Sequence, residues 1–247
     1  MGNILLPSDG ITIRQGIYEQ SSTQKTELGR FIDFEDGRRF RYCKAGSSSL
    51  TIALMTMAPA ITDNHKDIVQ TNYGLSIGDK DNISVLLDDA PSVNEYADGF
   101  LCCNKGTGLG QLYRIRKNSA TYSPCKIWLY DPIITAIPAA SEITLTPNKY
   151  NGVLEAAATA AGSHTGVPLI GVTGGYYFWA QTRGYCPFTG DSTITVAYVI
   201  GEPVGDAVTM DNAGCMDGIE SFTDAYYGIC VQIPEVNETG IVDLKLE

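Results

Sequence analysis

The sequence predicts an all-β fold, a β-sandwich or β-barrel with short helical turns and an extended N-terminal arm. Turn-forming residues are dense, with 26 glycines and 11 prolines in 247 residues, and short β-favouring runs lie between them. Helix-forming sequence is scarce, so the chain suits many short strands better than long helices. A chain of this length can bury roughly 70 to 75% of its unfolded surface, which fits one large domain or two small ones.

The first thirty residues are polar and rich in turn formers, with brief apolar alternation at Ile11, Ile13 and Ile17. Such a segment suits an extended arm that would reach about 100 Å at ~3.3 Å per residue. A frayed terminus is the alternative. We therefore divide the chain into an arm at 1–30 and a β-rich domain at 31–247, with a possible sub-boundary near 150–165.

The predicted strands are short runs of β-branched, aromatic and alternating residues bounded by turn formers. They lie at 39–44, 82–87, 99–103, 111–116, 126–130, 142–146, 175–184, 193–200, 204–210, 226–233 and 241–246. The run at 175–184 is aromatic throughout its middle, which predicts a central strand buried on both faces. Two helical turns are predicted, at 92–97 and at 154–161, where Gly152 and Gly162 limit the length.

The net charge of −11 argues against a nucleic-acid partner, because an acidic surface repels phosphates. Residues 200–247 hold ten acidic side chains and one basic side chain, which indicates a solvated acidic face or a face that meets a basic partner. No apolar stretch approaches the roughly 18 residues of a membrane span. The seven cysteines are scattered along the chain, and the N-terminus does not resemble a leader peptide. Both observations indicate a protein made in a cytoplasm, with reduced and mostly buried thiols.

No local motif predicts catalysis, a cofactor or a metal. His65 and His164 lie in polar, turn-like contexts and are predicted to be surface loop residues. Cys102 and Cys103 are adjacent, so their side chains would point to opposite faces of a strand instead of sharing a zinc ion. The glycine-rich segment 106–110 precedes an alternating run, which predicts a turn between strands and not a phosphate-binding loop. We therefore expect a protein that is not an enzyme.

Arginines form two short basic stripes. Arg39 and Arg41 would share one face of a strand, and so would Arg114 and Arg116. Guanidinium groups suit bidentate pairing with carboxylates of another chain, but pairing within the chain, with Asp33, Glu35 or Asp36, is the alternative. The candidate partner-contact residues are Arg14, Arg38, Arg39, Arg41, Arg114 and Arg116.

Four segments carry a resemblance to a known class of proteins: 37–42 (GRRFRY), 94–100 (NEYADGF), 129–133 (LYDPI) and 174–184 (GGYYFWAQTRG). Within roughly 29–205, the chain resembles structural proteins encoded beside capsid genes in tailed bacteriophages, the decoration or cement proteins. The resemblance implies a virion component, made in the bacterial cytoplasm, that binds the outer surface of the assembled capsid and stabilises it. Its implied partners are the major capsid protein and copies of itself, for instance in a trimer. It brings no catalytic or cofactor-binding residues.

A second hypothesis is a phage fibre or another receptor- or glycan-binding module. In that case exposed aromatic side chains would stack on the ligand, and Tyr185, Tyr226 and Tyr227 are the candidates. Saturable binding to bare capsids would favour the first hypothesis, whereas binding to host cells would favour the second.

Overall fold

A computed structural model describes residues 15–157, 162–191, 197–206, 213–219, 225–235 and 238–247. The chain forms two compact units. The first unit comprises Met1–Pro59 and Lys149–Glu247, and the second is the continuous segment Ala60–Asn148. The second unit is thus inserted into the chain of the first.

Within the described ranges the chain forms sixteen β-strands and one 3₁₀ turn, at Asp63–His65, and the predicted all-β fold class is confirmed. The strands of the first unit are β1 (Phe31–Asp33), β2 (Arg39–Ala45), β3 (Thr56–Met57), β10 (Asn151–Glu155), β11 (His164–Pro168), β12 (Tyr177–Thr189), β13 (Pro203–Gly205), β14 (Asp217–Gly218), β15 (Tyr226–Gln232) and β16 (Thr239–Lys245). Those of the second unit are β4 (Ile68–Val69), β5 (Ile83–Val85), β6 (Phe100–Lys105), β7 (Leu112–Asn118), β8 (Cys125–Leu129) and β9 (Glu142–Thr146). None of the helices in these ranges is long and apolar enough to cross a membrane.

The first unit is a half-barrel built around β12. Its strand order is β1-β2-β10-β3-β11-β12-β16-β15-β13-β14, and an additional pairing of β12 with β2 closes a ring through β10, β3 and β11. The predicted central strand is confirmed, because residues 178–182 of β12 are all buried. Trp179 packs edge-to-face on Tyr42 of β2 at 4.9 Å between ring centroids, and both are fully buried.

Residues 15–30, the described part of the predicted arm, lie against this half-barrel. Gln15 and Ile17 are buried. Tyr42 donates its hydroxyl hydrogen bond to Oε1 of Gln15 at 2.8 Å, and the indole of Trp179 donates to the Gln15 carbonyl at 3.1 Å. A segment held by these buried contacts is a part of the unit and not a free extension. The rest of the predicted arm, residues 1–14, lies outside the described residues.

The second unit is an antiparallel sheet with strand order β4-β9-β6-β7-β8-β5. One face of the sheet is buried and includes Leu101, Tyr113, Ile115 and Ile127. The predicted turn between strands at 106–110 is confirmed: it joins β6 to β7, and its three glycines adopt positive φ angles, which glycine tolerates best. Buried and exposed residues alternate along β6, β7 and β8. The second face of the sheet therefore points outward.

Two predictions of local structure are wrong in the described residues. Leu154 and Glu155, predicted to begin a helical turn, belong to strand β10, because pairing with Met57 and Thr56 of β3 overrides a weak helix preference. Residues 158–161 of that prediction lie outside the described residues. The segment predicted as a strand at 193–200 contains no strand at 197–200, and its residues 193–196 lie outside the described residues.

Candidate functional site

The predicted basic stripe of the first unit is neutralised within the chain. Arg39 donates to both oxygens of Asp33 at 2.7 and 2.9 Å, and Arg41 donates to both oxygens of Glu247 at 2.7 Å each. Both guanidinium groups also lie over the ring of Phe31, at 4.7 and 5.0 Å from its centroid. The hydrogen bond from Arg39 is the main cause of a lowered pKa at Asp33. Internal pairing, the alternative left open by the sequence, is what these two arginines do.

The remaining members of the candidate set are placed differently. Arg38 is bound to Asp36 at 2.8 Å, as that alternative also allowed. Arg14 lies outside the described residues. Arg114 and Arg116 lie on β7 of the second unit, where Arg114 contacts Asp98 at 2.8 Å and Arg116 contacts Asp81 at 2.5 Å. Their side chains remain 41% and 45% exposed, so these two pairs are open to solvent.

Arg114 belongs to an outward surface of the second unit that combines cations with aromatic and aliphatic side chains, here termed the cation–aromatic face. Its members are Phe100, Leu112, Arg114, Lys117, Lys126, Trp128 and Tyr130. Arg116 lies beside it, at the bulge of β7. Arg114 was the one member of this face predicted from the sequence, although the alternation in 99–103, 111–116 and 126–130 could have predicted all the others except Lys117.

Cations and rings alternate in contact across this face. The guanidinium carbon of Arg114 lies 4.5 Å from the ring centroid of Tyr130, and Nζ of Lys117 lies 4.3 Å from that of Trp128. Phe100 on β6 is the cross-strand partner of Arg114. Cation–π contacts of this kind contribute about 0.5 to 1 kcal/mol when exposed and more when desolvated. They also restrict the flexible cationic side chains to positions over the sheet.

A second surface feature is an open groove of about 800 Å³ in the first unit. It is lined by Asp36, Gly37, Arg38, Arg183, Gly184, Tyr185, Asp243, Lys245 and Glu247. Tyr185, one of the predicted stacking residues, is 64% exposed at this groove, and Tyr226 is 44% exposed elsewhere on the unit. Tyr227 is fully buried, so its prediction as an exposed stacking residue is wrong.

The prediction that both histidines are surface loop residues is also wrong. His65 is buried in the 3₁₀ turn, with Nδ1 2.5 Å from the Tyr96 hydroxyl and Nε2 3.1 Å from the carbonyl of Asp89. His164 is half-buried in β11, with Nε2 2.8 Å from the hydroxyl of Tyr227. Across the part of the chain that the structure describes, no group of three His, Cys, Asp or Glu side chains is arranged to hold a metal.

All seven cysteines lie in the described residues as free thiols, and all but Cys102 are buried. Burial raises the pKa of Cys125 and of Cys215 to about 11 in each case. A thiol with such a pKa is protonated at neutral pH and is a poor nucleophile. These cysteines therefore act as apolar core side chains.

The environment of His164 gives a testable pH dependence of stability. Burial, helped by the charge of Lys149, lowers the pKa of His164 below its ordinary value of 6.5. The stabilising effect of the neutral ring is therefore complete above the unfolded-state pKa and is lost as the pH falls through it. We expect the free energy of unfolding of the wild type to fall, relative to that of His164→Gln, between about pH 8 and pH 5. Urea titrations at several pH values measure this difference, and parallel pH curves for the two proteins would contradict it.

Comparison of the chain with models of protein families, with curated proteins and with solved structures found no match in any of the three.

Proposed function

We propose that this chain is a non-enzymatic virion protein that binds the outer surface of an assembled phage capsid and stabilises the shell through protein–protein contacts. The observation that supports this function is the cation–aromatic face of the second unit. Outward faces of antiparallel sheets are ordinarily polar, whereas this one exposes Leu112 and aromatic rings between cations. Aromatic side chains and arginine are the residues enriched in protein interfaces, which makes this face suited to a protein partner.

The ion pairs of this face can be exchanged for contacts with a partner. Exposed pairs such as Arg114–Asp98 and Arg116–Asp81 contribute at most about 1 kcal/mol each, because both charges remain hydrated. A carboxylate of the capsid could replace the internal acid at little cost. Arg39 and Arg41, by contrast, each donate three hydrogen bonds within the chain and stack on Phe31. We therefore place the capsid contact on the second stripe and not on the first.

The proposed partner is the major capsid protein, at a surface that carries carboxylates and apolar side chains. A stable assembly of this kind buries about 2,000 Å² or more, which exceeds one sheet face of this size. The proposal therefore includes further contacts with a second capsid subunit or with copies of this chain, for instance in a trimer. A rigid domain that bridges subunits adds buried area that must be lost before the shell opens, which opposes the pressure of the packaged genome.

Binding to bare capsids tests this function. Purified protein should sediment with bare capsids assembled from the major capsid protein of the same phage, and the bound amount should saturate. The double variant Leu112→Asp/Arg114→Ala is expected to reduce the affinity at least about tenfold, since it places a charge among the apolar contacts and removes the stacked cation. Raising the salt from about 0.1 to 1 M should also release part of the wild type, because charge contacts are then screened within ~3 Å.

The matched control for this experiment is Ile77→Asp. Ile77 is 70% exposed in the second unit, next to Leu75, which packs in the cluster on the buried side of the sheet. This variant introduces an aspartate, as Leu112→Asp does, at a residue outside the strands that carry the cation–aromatic face, and it should sediment like the wild type. Equal sedimentation of the double variant and the control, or no sedimentation of the wild type, would overturn the proposal.

A further inference from the structure

We infer that the groove beside Tyr185 in the first unit binds a carboxylate-bearing saccharide. This site is separate from the cation–aromatic face and does not depend on the proposed capsid contact. Three observations support this site: an exposed aromatic ring, a row of cations in register, and two lining acids whose oxygens already accept hydrogen bonds from other arginines.

Tyr185 supplies an apolar platform for a sugar ring. Its side chain is 64% exposed and borders the groove, opposite Asp243 of β16. The preceding residue, Gly184, has a φ of +83°, and a Cβ there would lie only 3.1 Å from atoms of Arg38. Glycine at this position therefore lets Arg38 approach the floor of the groove. One face of a pyranose ring carries mostly C–H groups, which pack on an aromatic ring, while the ring edge carries hydroxyls that need polar partners.

Three cations lie side by side across neighbouring strands, and two of them, Arg183 and Lys245, line this groove. Arg183 of β12 is the register partner of Arg39 on β2 and of Lys245 on β16. Like charges directly opposite each other destabilise a sheet unless an anion lies between them. Arg39 has such an anion in Asp33, to which it donates two short hydrogen bonds.

Arg183 and Lys245 have no acid partner at such short distances among the described residues, although Nε of Arg183 donates to the Gly37 carbonyl at 3.2 Å. The closest acid oxygen is 3.4 Å away for Arg183, in Asp33, and 3.5 Å away for Lys245, in Asp243. Both distances exceed those of ordinary charge-assisted hydrogen bonds, which are about 2.7 to 2.9 Å. A carboxylate between these two side chains would receive hydrogen bonds from both and relieve their mutual repulsion.

Two of the three acids that line the groove, Asp36 and Glu247, are bound to other arginines. Asp36 already accepts from the backbone N–H of Arg38 at 3.1 Å and from its Nε at 2.8 Å. Glu247 accepts on both oxygens from Arg41 and on one from Arg39. The groove also holds a third acid, Asp243, 3.5 Å from Lys245, so a ligand carboxylate would bind Arg183 and share Lys245 with Asp243. The volume of the groove, about 800 Å³, lies within the usual range of small-ligand sites and would hold two or three sugar rings.

Titration calorimetry of the full chain tests this inference with two pairs of probes: trigalacturonate with its methyl ester, and sialyllactose with lactose. In each pair the two sugars share a scaffold and differ in the carboxylate. We expect at least one acidic probe to bind, and its neutral counterpart to bind at least about tenfold more weakly. Failure of both acidic probes to bind below about 10 mM, or equal binding of acidic and neutral members, would overturn the inference.

Variants assign the binding to this groove. Tyr185→Ala and Lys245→Met should each weaken the acidic probe at least about tenfold, whereas Tyr226→Ala, which removes another exposed tyrosine of the same unit, should stay within about twofold of the wild type. The thermal midpoint of each variant checks that it is folded. Wild-type affinity in Tyr185→Ala, or binding of triglutamate as tight as that of the acidic sugar, would contradict a saccharide site. Because Tyr185→Ala should still sediment with capsids, the two proposals can fail independently.

Discussion

Replacement of Trp179 by alanine is expected to unfold the first unit under conditions in which the second remains folded. The indole is fully buried, packs on Tyr42 and donates to the Gln15 carbonyl. Truncation of a buried tryptophan costs about 3 to 5 kcal/mol, and the carbonyl that loses its donor adds to this cost. Small domains are stable by only about 5 to 15 kcal/mol, so such a loss removes a large share of the stability of the unit.

The positions of the two tryptophans make this measurement direct. Trp179 lies in the first unit and Trp128 in the second. In Trp179→Ala the remaining indole fluorescence reports the second unit, while far-ultraviolet circular dichroism reports both units. We expect the dichroism of the variant to fall at a lower urea concentration than the fluorescence of Trp128. Coincident dichroism and fluorescence transitions, with a free energy of unfolding within about 1 kcal/mol of the wild type, would contradict the role given to Trp179.

Replacement of Gly99 by alanine is expected to have the complementary effect and to destabilise the second unit by about 3 kcal/mol. A Cβ on Gly99 would overlap the carbonyl oxygen of Thr146 and would lie 3.0 Å from the carbonyl carbon of Pro147. These are backbone atoms, and the register of Phe100 with Thr146 ties β6 to β9 at this point. Because neither strand can move aside without breaking that pairing, overpacking costs more here than at a site bordered by flexible side chains.

Gly74→Ala provides the control in the same unit. The nearest atom to a Cβ at Gly74 is 3.4 Å away, which is ordinary van der Waals contact. We expect this variant to change the free energy of unfolding of the second unit, measured by urea denaturation, by less than about 0.5 kcal/mol. Gly99→Ala should change it several-fold more. Equal urea midpoints for the two variants would show that the close approach of β9 does not exclude a side chain at position 99.

The sequence predicted those parts of the fold that local alternation encodes. Each run of five or more alternating or aromatic residues that lies wholly in the described part became a strand, including the long β12 and the three strands that carry the cation–aromatic face. Two-residue strands such as β3 and β4 were missed, because so few residues carry no periodic signal. The helix-permissive Leu154 joined a strand because its partner in β3 is distant in sequence.

The site was predicted only in part, for a similar reason. The shared face of Arg39 with Arg41 followed from a period of two residues, whereas the bulge in β7 places Arg116 beside the face that carries Arg114. The partner of Arg41, however, is Glu247, 206 positions away, and no local pattern indicates such a pairing. The burial of His65 was likewise not predicted, because Tyr96, whose hydroxyl is hydrogen-bonded to Nδ1 of His65, lies 31 positions further along the chain.

The insertion of the second unit between two paired strands has a consequence for how such a protein can change. β3 and β10 are antiparallel neighbours, and a Cβ on Gly152 would lie 3.8 Å from Pro59, so the two points where the insert leaves the first unit are close together. When the two ends of an inserted segment lie close together, as they do in a surface loop, the entropic cost of bringing them together grows only slowly with the length of the segment. Residues 60–148 could therefore be exchanged for another module during evolution, or by engineering, without re-routing any strand of the half-barrel.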